Sequence, residues 1–347
     1  MTVRAGREFL AIPGPTTMPD EVLRAMHRPA VDIYSGALVE MTDGLLRDMS
    51  RLFRTKGPSY IYIANGHGTW EAALTNTLSP GDRVLMVETG QFATLWETVA
   101  KRLGLVPELI ATDWRTGAKP AEIEARLTED KGHTIKAVCV VHNETATGCI
   151  TDIAAVRKAI DAARHPALLM VDTISSLGSM DFQHEAWGVD VTIAGAQKGL
   201  MMPPGMSFNG VSDKALAAMK SAKLPKAYFS WEAMAASNAT GFFPYTPAIG
   251  MLYGLVESCK LLHEEGLENA FARHRRLGEA TRRAVKAWGL ETLCREPKDA
   301  SSTVTAIMMP AGHDGDKFRK IVLEAFDVSL GTGLGKVAGR VFRIGHL

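Results

Sequence analysis

Leu168-Leu169-Met170-Val171-Asp172 and Val191-Thr192-Ile193-Ala194-Gly195-Ala196-Gln197-Lys198 are two short apolar runs, each leading to a charged side chain. Aliphatic and β-branched runs of this length, without polar alternation, read as strands buried on both faces, the texture of a parallel sheet covered by helices. The first run ends on a carboxylate, and the second passes through small residues to an amine. In open α/β sheets ligands sit beyond the carboxyl ends of the strands. The two stretches therefore suggest a fold and a place for chemistry together, with the acid one βαβ step before the lysine.

Outward from this pair the same texture repeats. Apolar runs at Tyr60–Ala64, Val84–Val87 and Val138–Val141 alternate with amphipathic stretches of helical length at Trp70–Leu78, Phe92–Leu103, Ala121–Leu127 and Ile153–Ala163. Strands alternating with helices predict βαβ units, and right-handed crossovers make a doubly wound, mostly parallel α/β domain. After Pro247 the texture changes. Helices are expected over Gly250–Glu265 and Phe271–Trp288, and apolar runs at Thr303–Met309 and Val328–Leu330 enclose a helix at Asp316–Phe326. The expected division is a large domain over 1–254 and a smaller α+β domain over 255–347. Arg343-Ile344-Gly345-His346-Leu347 reads as a strand with no covering helix after it, so further C-terminal residues are expected. No internal repeat or low-complexity segment is visible.

Composition narrows the function classes. With 347 residues the prior is roughly two domains. The 39 basic and 38 acidic side chains leave a formal charge of +1, which gives no electrostatic case for nucleic acid or an anionic membrane. No apolar run approaches the roughly 20 residues of a membrane helix, and Met1–Pro15 lacks a signal peptide's apolar stretch. Cys139, Cys149, Cys259 and Cys294 form no C-x-x-C pair, so neither a zinc site nor a thioredoxin-like motif is suggested. This usage fits a cytoplasmic protein.

Chemistry concentrates in four motifs at expected strand ends. Asn65-Gly66-His67-Gly68-Thr69 opens a helix, where glycines admit a close ligand and the N-terminal N–H groups suit a phosphate. A tight turn with a threonine cap is the alternative. Asp172, on the tip of a buried strand, needs a partner, such as a protonated pyridine nitrogen, or else caps the next turn. Lys198 among small residues suits a lowered amine pKa and Schiff-base chemistry, against the alternative of a solvated loop lysine. Asn143-Glu144-Thr145-Ala146-Thr147-Gly148 offers hydroxyl and amide groups to a ring's polar edge, or is a plain turn. A carboxylate and an amine on neighbouring strands are what pyridoxal phosphate requires.

With these motifs in order, the chain resembles the class V aminotransferases, fold type I pyridoxal-phosphate enzymes, in their serine–glyoxylate and alanine–glyoxylate branch. The likeness runs from Ile12-Pro13-Gly14-Pro15 to Phe342-Arg343-Ile344-Gly345. It is most specific at Val171-Asp172-Thr173-Ile174-Ser175-Ser176-Leu177-Gly178 and Gly195-Ala196-Gln197-Lys198-Gly199. The resemblance implies that Lys198 is the Schiff-base lysine and that Asp172 pairs with the pyridine nitrogen. Gly66 and His67 then match the phosphate turn, and Thr145 the hydroxyl near the ring's phenolic oxygen. Gln197 falls at the phosphate end. Phe92 falls where the family stacks an aromatic, often tryptophan, on the ring; a core aromatic is the alternative. Tyr245 and Thr246 match a segment that reaches the neighbouring subunit's phosphate, which implies a homodimer with shared sites. Arg343 matches the arginine that grips the substrate carboxylate, and Gly14 the loop that closes over the substrate.

One departure bears on the donor. Where many glyoxylate-using relatives carry His-Arg, this chain has Asp32-Ile33-Tyr34-Ser35-Gly36. The implied reaction moves an amino group from a small amino acid, serine first, to glyoxylate. Alanine or aspartate as donor, pyridoxamine–pyruvate or aminoethylphosphonate transamination, and a cysteine desulfurase using Cys294 are the alternatives. A nicotinamide enzyme would need a G-x-G-x-x-G turn that Asn65–Thr69 lacks. Gly331-Thr332-Gly333-Leu334-Gly335 is expected to be a flexible loop ahead of Arg343.

Overall fold

The computed structural model describes residues 8–34 and 36–347, so Ser35 of the departing segment lies outside it. Seven strands form the main sheet in the spatial order Ser59–Tyr62, Ser207–Val211, Val191–Gly195, Leu168–Asp172, Ile135–Val141, Arg83–Glu88 and Val106–Ala111. From Val191–Gly195 to Val106–Ala111 every pair is parallel. Ser207–Val211 runs antiparallel to both of its neighbours.

Side chains alternate between two apolar layers. Leu169 and Val171 enter one layer with Leu45, Met49 and Phe53, while Leu168 and Met170 enter the other with Trp70 and Trp96. Both faces of the strand are thus apolar, which explains why its sequence shows no polar alternation. Two strands had no clear signal. Val106–Ala111 is an edge strand with exposed ends, and Ser207–Val211 mixes polar residues and glycine into its run. Gly210 is required there, because a Cβ would meet the Phe53 ring at 2.9 Å.

The step from Asp172 to Val191 is not a helical crossover. It is built of turns, with Thr173 donating to the Ile193 carbonyl and Ser175 Oγ to the Asn143 carbonyl. Hydroxyl side chains that bond the backbone locally compete with helix formation. Asp190 then ties three strands together at the opposite edge. Its carboxylate accepts from Leu169 N–H at 2.8 Å and Ser212 Oγ at 2.9 Å, and its carbonyl accepts from Ser212 N–H.

A second sheet has the order Phe9–Ala11, Val328–Thr332, Val341–Gly345, Val304–Met308. Its first pair is parallel, so the N-terminal strand joins the C-terminal unit. Helices Leu267–Ala287 and Gly315–Phe326 accompany it. Gly331 and Thr332 belong to a strand paired with Arg343 and Phe342, and Gly335–Val337 is a 3-10 turn, so this stretch is not the flexible loop expected from its glycines. A Cβ on Gly331 would meet Pro13 at 2.7 Å and Arg343 Cβ at 3.0 Å; the glycine serves close packing. Among the described residues no helix is long and apolar enough to cross a membrane.

Replacing Asp190 with Ala should leave the Leu169 strand N–H unpartnered and the Ser212 hydroxyl without its acceptor, at a cost of about 1–3 kcal/mol. A lower apparent melting temperature by circular dichroism checks this, and an unchanged one would show that the anchor is dispensable.

Candidate active site

Lys198 stands three residues past the strand Val191–Gly195, its side chain buried. The N-terminal loop lies directly over it. Thr16 N–H donates to the Gln197 carbonyl at 3.2 Å, Thr16 Oγ1 to the Lys198 carbonyl at 3.3 Å, and Lys198 Nζ to the Pro13 carbonyl. Gly14 sits at φ +106°, and a Cβ there would come within 2.6 Å of Nζ. Burial pushes the Lys198 amine down to about 7, the nearby Arg343 charge pushes the same way, and Asp172 and Glu144 oppose.

Asp172 ends the adjacent strand. Its Oδ2 accepts from Trp70 Nε1 at 2.8 Å and its Oδ1 from Ile174 N–H at 2.8 Å. Burial raises the carboxyl to about 6 against the pull of these donors and of Lys198. Trp70 projects from the helix Gly66–Thr77 and stacks on Trp96 at 5.8 Å, with the His67 ring 4.5 Å away. Gly66 leaves no room for a Cβ against Ile174. The cap of this helix is Asn65, whose side chain accepts from His67 and Gly68 N–H. The threonine considered as a cap, Thr69, bonds back to the Gly66 carbonyl at 3.0 Å.

Arg343 arrives from the second sheet. Its Nε donates to the Thr332 carbonyl at 2.7 Å and its Nη1 to the Thr145 carbonyl at 2.9 Å. Burial lowers the guanidinium to about 10, with Glu144 opposing and Arg319 assisting. Both described bonds go to carbonyls, so the guanidinium charge faces the site without a carboxylate bound to it. Glu144 is fully buried and caps the helix Gln91–Arg102 by accepting from Phe92 N–H at 3.1 Å and Ala93 N–H at 3.2 Å. Burial raises its carboxyl to about 7, and these backbone bonds resist the rise. Phe92 packs half-buried against the apolar layer that contains Trp70 and Trp96. Gln197 Oε1 is buried with no partner, a polar atom suited to an absent group.

The structure thus gathers Lys198, Asp172, Gly66, His67, Phe92, Thr145, Gln197, Arg343 and Gly14 along one edge of the main sheet. Tyr245 and Thr246 lie elsewhere, on a groove lined by Ile63, Met206 and Tyr228. Tyr245 stacks on Tyr228 at 4.3 Å and its hydroxyl donates to the Ala227 carbonyl at 2.9 Å. Tyr34 is 79% exposed, so the departing segment presents that ring to solvent in the single chain. Cys294 is half-buried and bonds the Glu296 carbonyl at 3.4 Å.

The family model for aminotransferase class V matches residues 51–339. The chain belongs to this family. A serine–glyoxylate aminotransferase of Methylorubrum extorquens is 51% identical over all of this chain and 88% of its own length. An L-aspartate–glyoxylate aminotransferase of Paracoccus denitrificans is 46% identical over 97% of this chain and 85% of its own. The crystal structure of pyridoxamine-pyruvate aminotransferase from Mesorhizobium loti superposes with a TM-score of 0.92 at 28% identity, over all of this chain and 88% of that one.

In this class V aminotransferase the sequence left two site residues without a role. Trp70 appeared only as the start of a helix, although its place one turn after the glycine turn aims it at the strand ends. Glu144 sat inside a quoted motif, but nothing local shows that its partners are the amides at Phe92 and Ala93. Among the described residues no cluster of acids, histidines and cysteines is arranged to hold a metal.

The depressed Lys198 amine is protonated below about pH 7 and a free nucleophile above it. Borohydride trapping of a simple aldehyde on the cofactor-free protein, followed by peptide mass spectrometry across pH, should show half-maximal labelling of Lys198 near pH 7. A midpoint near 10 would mean that the amine is solvated.

Proposed function

We propose that this chain is a pyridoxal-phosphate-dependent aminotransferase that moves the amino group of serine to glyoxylate, giving glycine and a 2-oxo acid. The observation that carries the reading is the buried Lys198 amine between Asp172 and Arg343, in a chain 51% identical to a serine–glyoxylate enzyme. The residues present fit the cofactor. Asp172, raised toward neutrality by burial, gains from a cationic ring nitrogen, and the buried Gln197 Oε1, which has no protein partner, can take one from the cofactor.

Lys198 would carry the cofactor, Asp172 would face its ring nitrogen, and Phe92 and His67 would flank the ring. Gly66 and Gln197 would sit at the phosphate, and Thr145 near the phenolic oxygen. Tyr245 and Thr246 would reach the phosphate of a second copy, which makes the working unit a two-fold homodimer. When bound, pyridoxal phosphate supplies an aldehyde for amines and a protonated ring that accepts an electron pair. Arg343 holds the α-carboxylate of either substrate in its fork. Lys198 Nζ takes the α-proton and returns it, a task suited to an amine near pH 7. The loop at Pro13–Thr16 covers Nζ and limits water. Four free cysteines fit work in the cytoplasm.

Aspartate as donor is the second reading, supported by the 46%-identical aspartate–glyoxylate relative. Absorption of the purified protein separates the donors. We expect a yellow protein whose colour bleaches with serine and returns with glyoxylate. Bleaching by aspartate alone would name that donor, and a protein that stays colourless with added pyridoxal phosphate would sink the assignment. Lys198→Ala should cut turnover by at least about a thousandfold; substantial residual activity would remove the lysine from its role.

A further inference from the structure

Lys336 stands outside the motifs that carry the proposed reaction, yet it joins the two halves of the site. It lies in the 3-10 turn Gly335–Val337 and its ammonium pairs with Glu88. Glu88 ends the strand Arg83–Glu88, is buried, and also accepts from Trp114 Nε1 at 3.0 Å. The ammonium lies 5.3 Å from the Trp114 ring centroid, a cation–π contact that fixes it from a second side. Beneath them Trp114 packs with Val337, Val341 and Leu293. Gly335, at φ +50°, sits against Gln91 and Trp114 with no room for a side chain.

The turn is therefore seated on Gln91, next to Phe92. On its other side it hangs from the strand Val328–Thr332, whose last carbonyl holds Arg343 Nε at 2.7 Å. A shift of the turn moves that carbonyl, and with it the guanidinium fork. An exposed ion pair would have little leverage. Here the lysine is half-exposed but the carboxylate is buried, and without the lysine its described side-chain partner is Trp114 Nε1 alone, which loosens the seat of the turn.

We propose that Lys336 is a positioning residue for the substrate carboxylate, acting through the turn at Gly333–Val337 on the Thr332 carbonyl that orients Arg343. This rests on the reading of Arg343 as the carboxylate ligand. Steady-state kinetics of the holoenzyme tests it, with Lys336→Met, Lys336→Arg, Glu88→Gln and Arg343→Lys compared. In Lys336→Met the KM values for the amino donor and for glyoxylate should rise together by about tenfold, with kcat within about twofold. The cofactor spectrum and affinity should not change, and Lys336→Arg should recover most of the loss. Should Lys336→Met fail to fold, Glu88→Gln, which keeps an acceptor for Trp114 and removes the ion pair, should show the same paired KM rise. Unchanged KM values in Lys336→Met beside raised ones in Arg343→Lys would overturn the proposal. So would a fall in kcat and cofactor affinity that arginine does not rescue, since that marks a merely structural role. Unchanged KM values in Arg343→Lys would instead remove the carboxylate reading beneath it.

Discussion

Four ionisable groups, Lys198, Asp172, Glu144 and Arg343, are buried together at the edge where the two sheets meet. Isolated, each would be expensive in a low-dielectric interior. Gathered, two cations and two carboxylates offset one another, and each remaining shift has a definite direction. The acids rise, the bases fall, and Lys198 comes to rest near neutrality. That balance depends on the fold at every point. Parallel strands bring Asp172 beside the strand that leads to Lys198, the Gln91 helix neutralises Glu144 with backbone amides, and the second sheet delivers Arg343.

The N-terminal strand belongs to the C-terminal sheet. Phe9–Ala11 pairs with Val328–Leu330, and the chain then runs straight into Pro13 and Gly14 above Lys198. The covering loop is thus anchored to the same sheet that carries Arg343. Any motion of that sheet against the main one carries this loop and Arg343 together.

Much of this was legible in the sequence, and what was legible has a common physical origin. Strands buried on both faces leave uninterrupted apolar runs, so Val138–Val141, Leu168–Val171 and Val191–Ala194 could be read directly. The acid and the amine at their ends followed from where ligands sit in such sheets. The edge strand Val106–Ala111 and the glycine-interrupted Ser207–Val211 were not read, because neither shows a clean period. The helical crossover expected after Asp172 was replaced by turns, since Thr173 and Ser175 spend their hydroxyls on backbone carbonyls. The glycines at 331–335 looked like flexibility and proved to be clearance for Pro13, Arg343 and Gln91.

Trp70 shows why the site's fine tuning escapes a local reading. Its indole N–H reaches Asp172 across more than a hundred positions of chain, and nothing near residue 70 announces that partner. Yet with the Ile174 amide it is one of the two donors that hold the buried carboxyl down. An acid raised to about 6 is largely ionised at neutral pH, and the indole helps to keep it so. Without the donor, burial would act with less opposition and Asp172 would shift further toward the neutral acid, a poorer partner for any cationic ring. The same logic applies to Glu144, whose rise to about 7 is opposed by the Ala146 amide of its own turn and then by the Ala93 and Phe92 amides at a helix N-terminus. In both cases the chemistry-bearing acid was visible in the sequence and one opposing amide lies two residues on, while the other donors come from a different element and become apparent only when the sheet has been assembled.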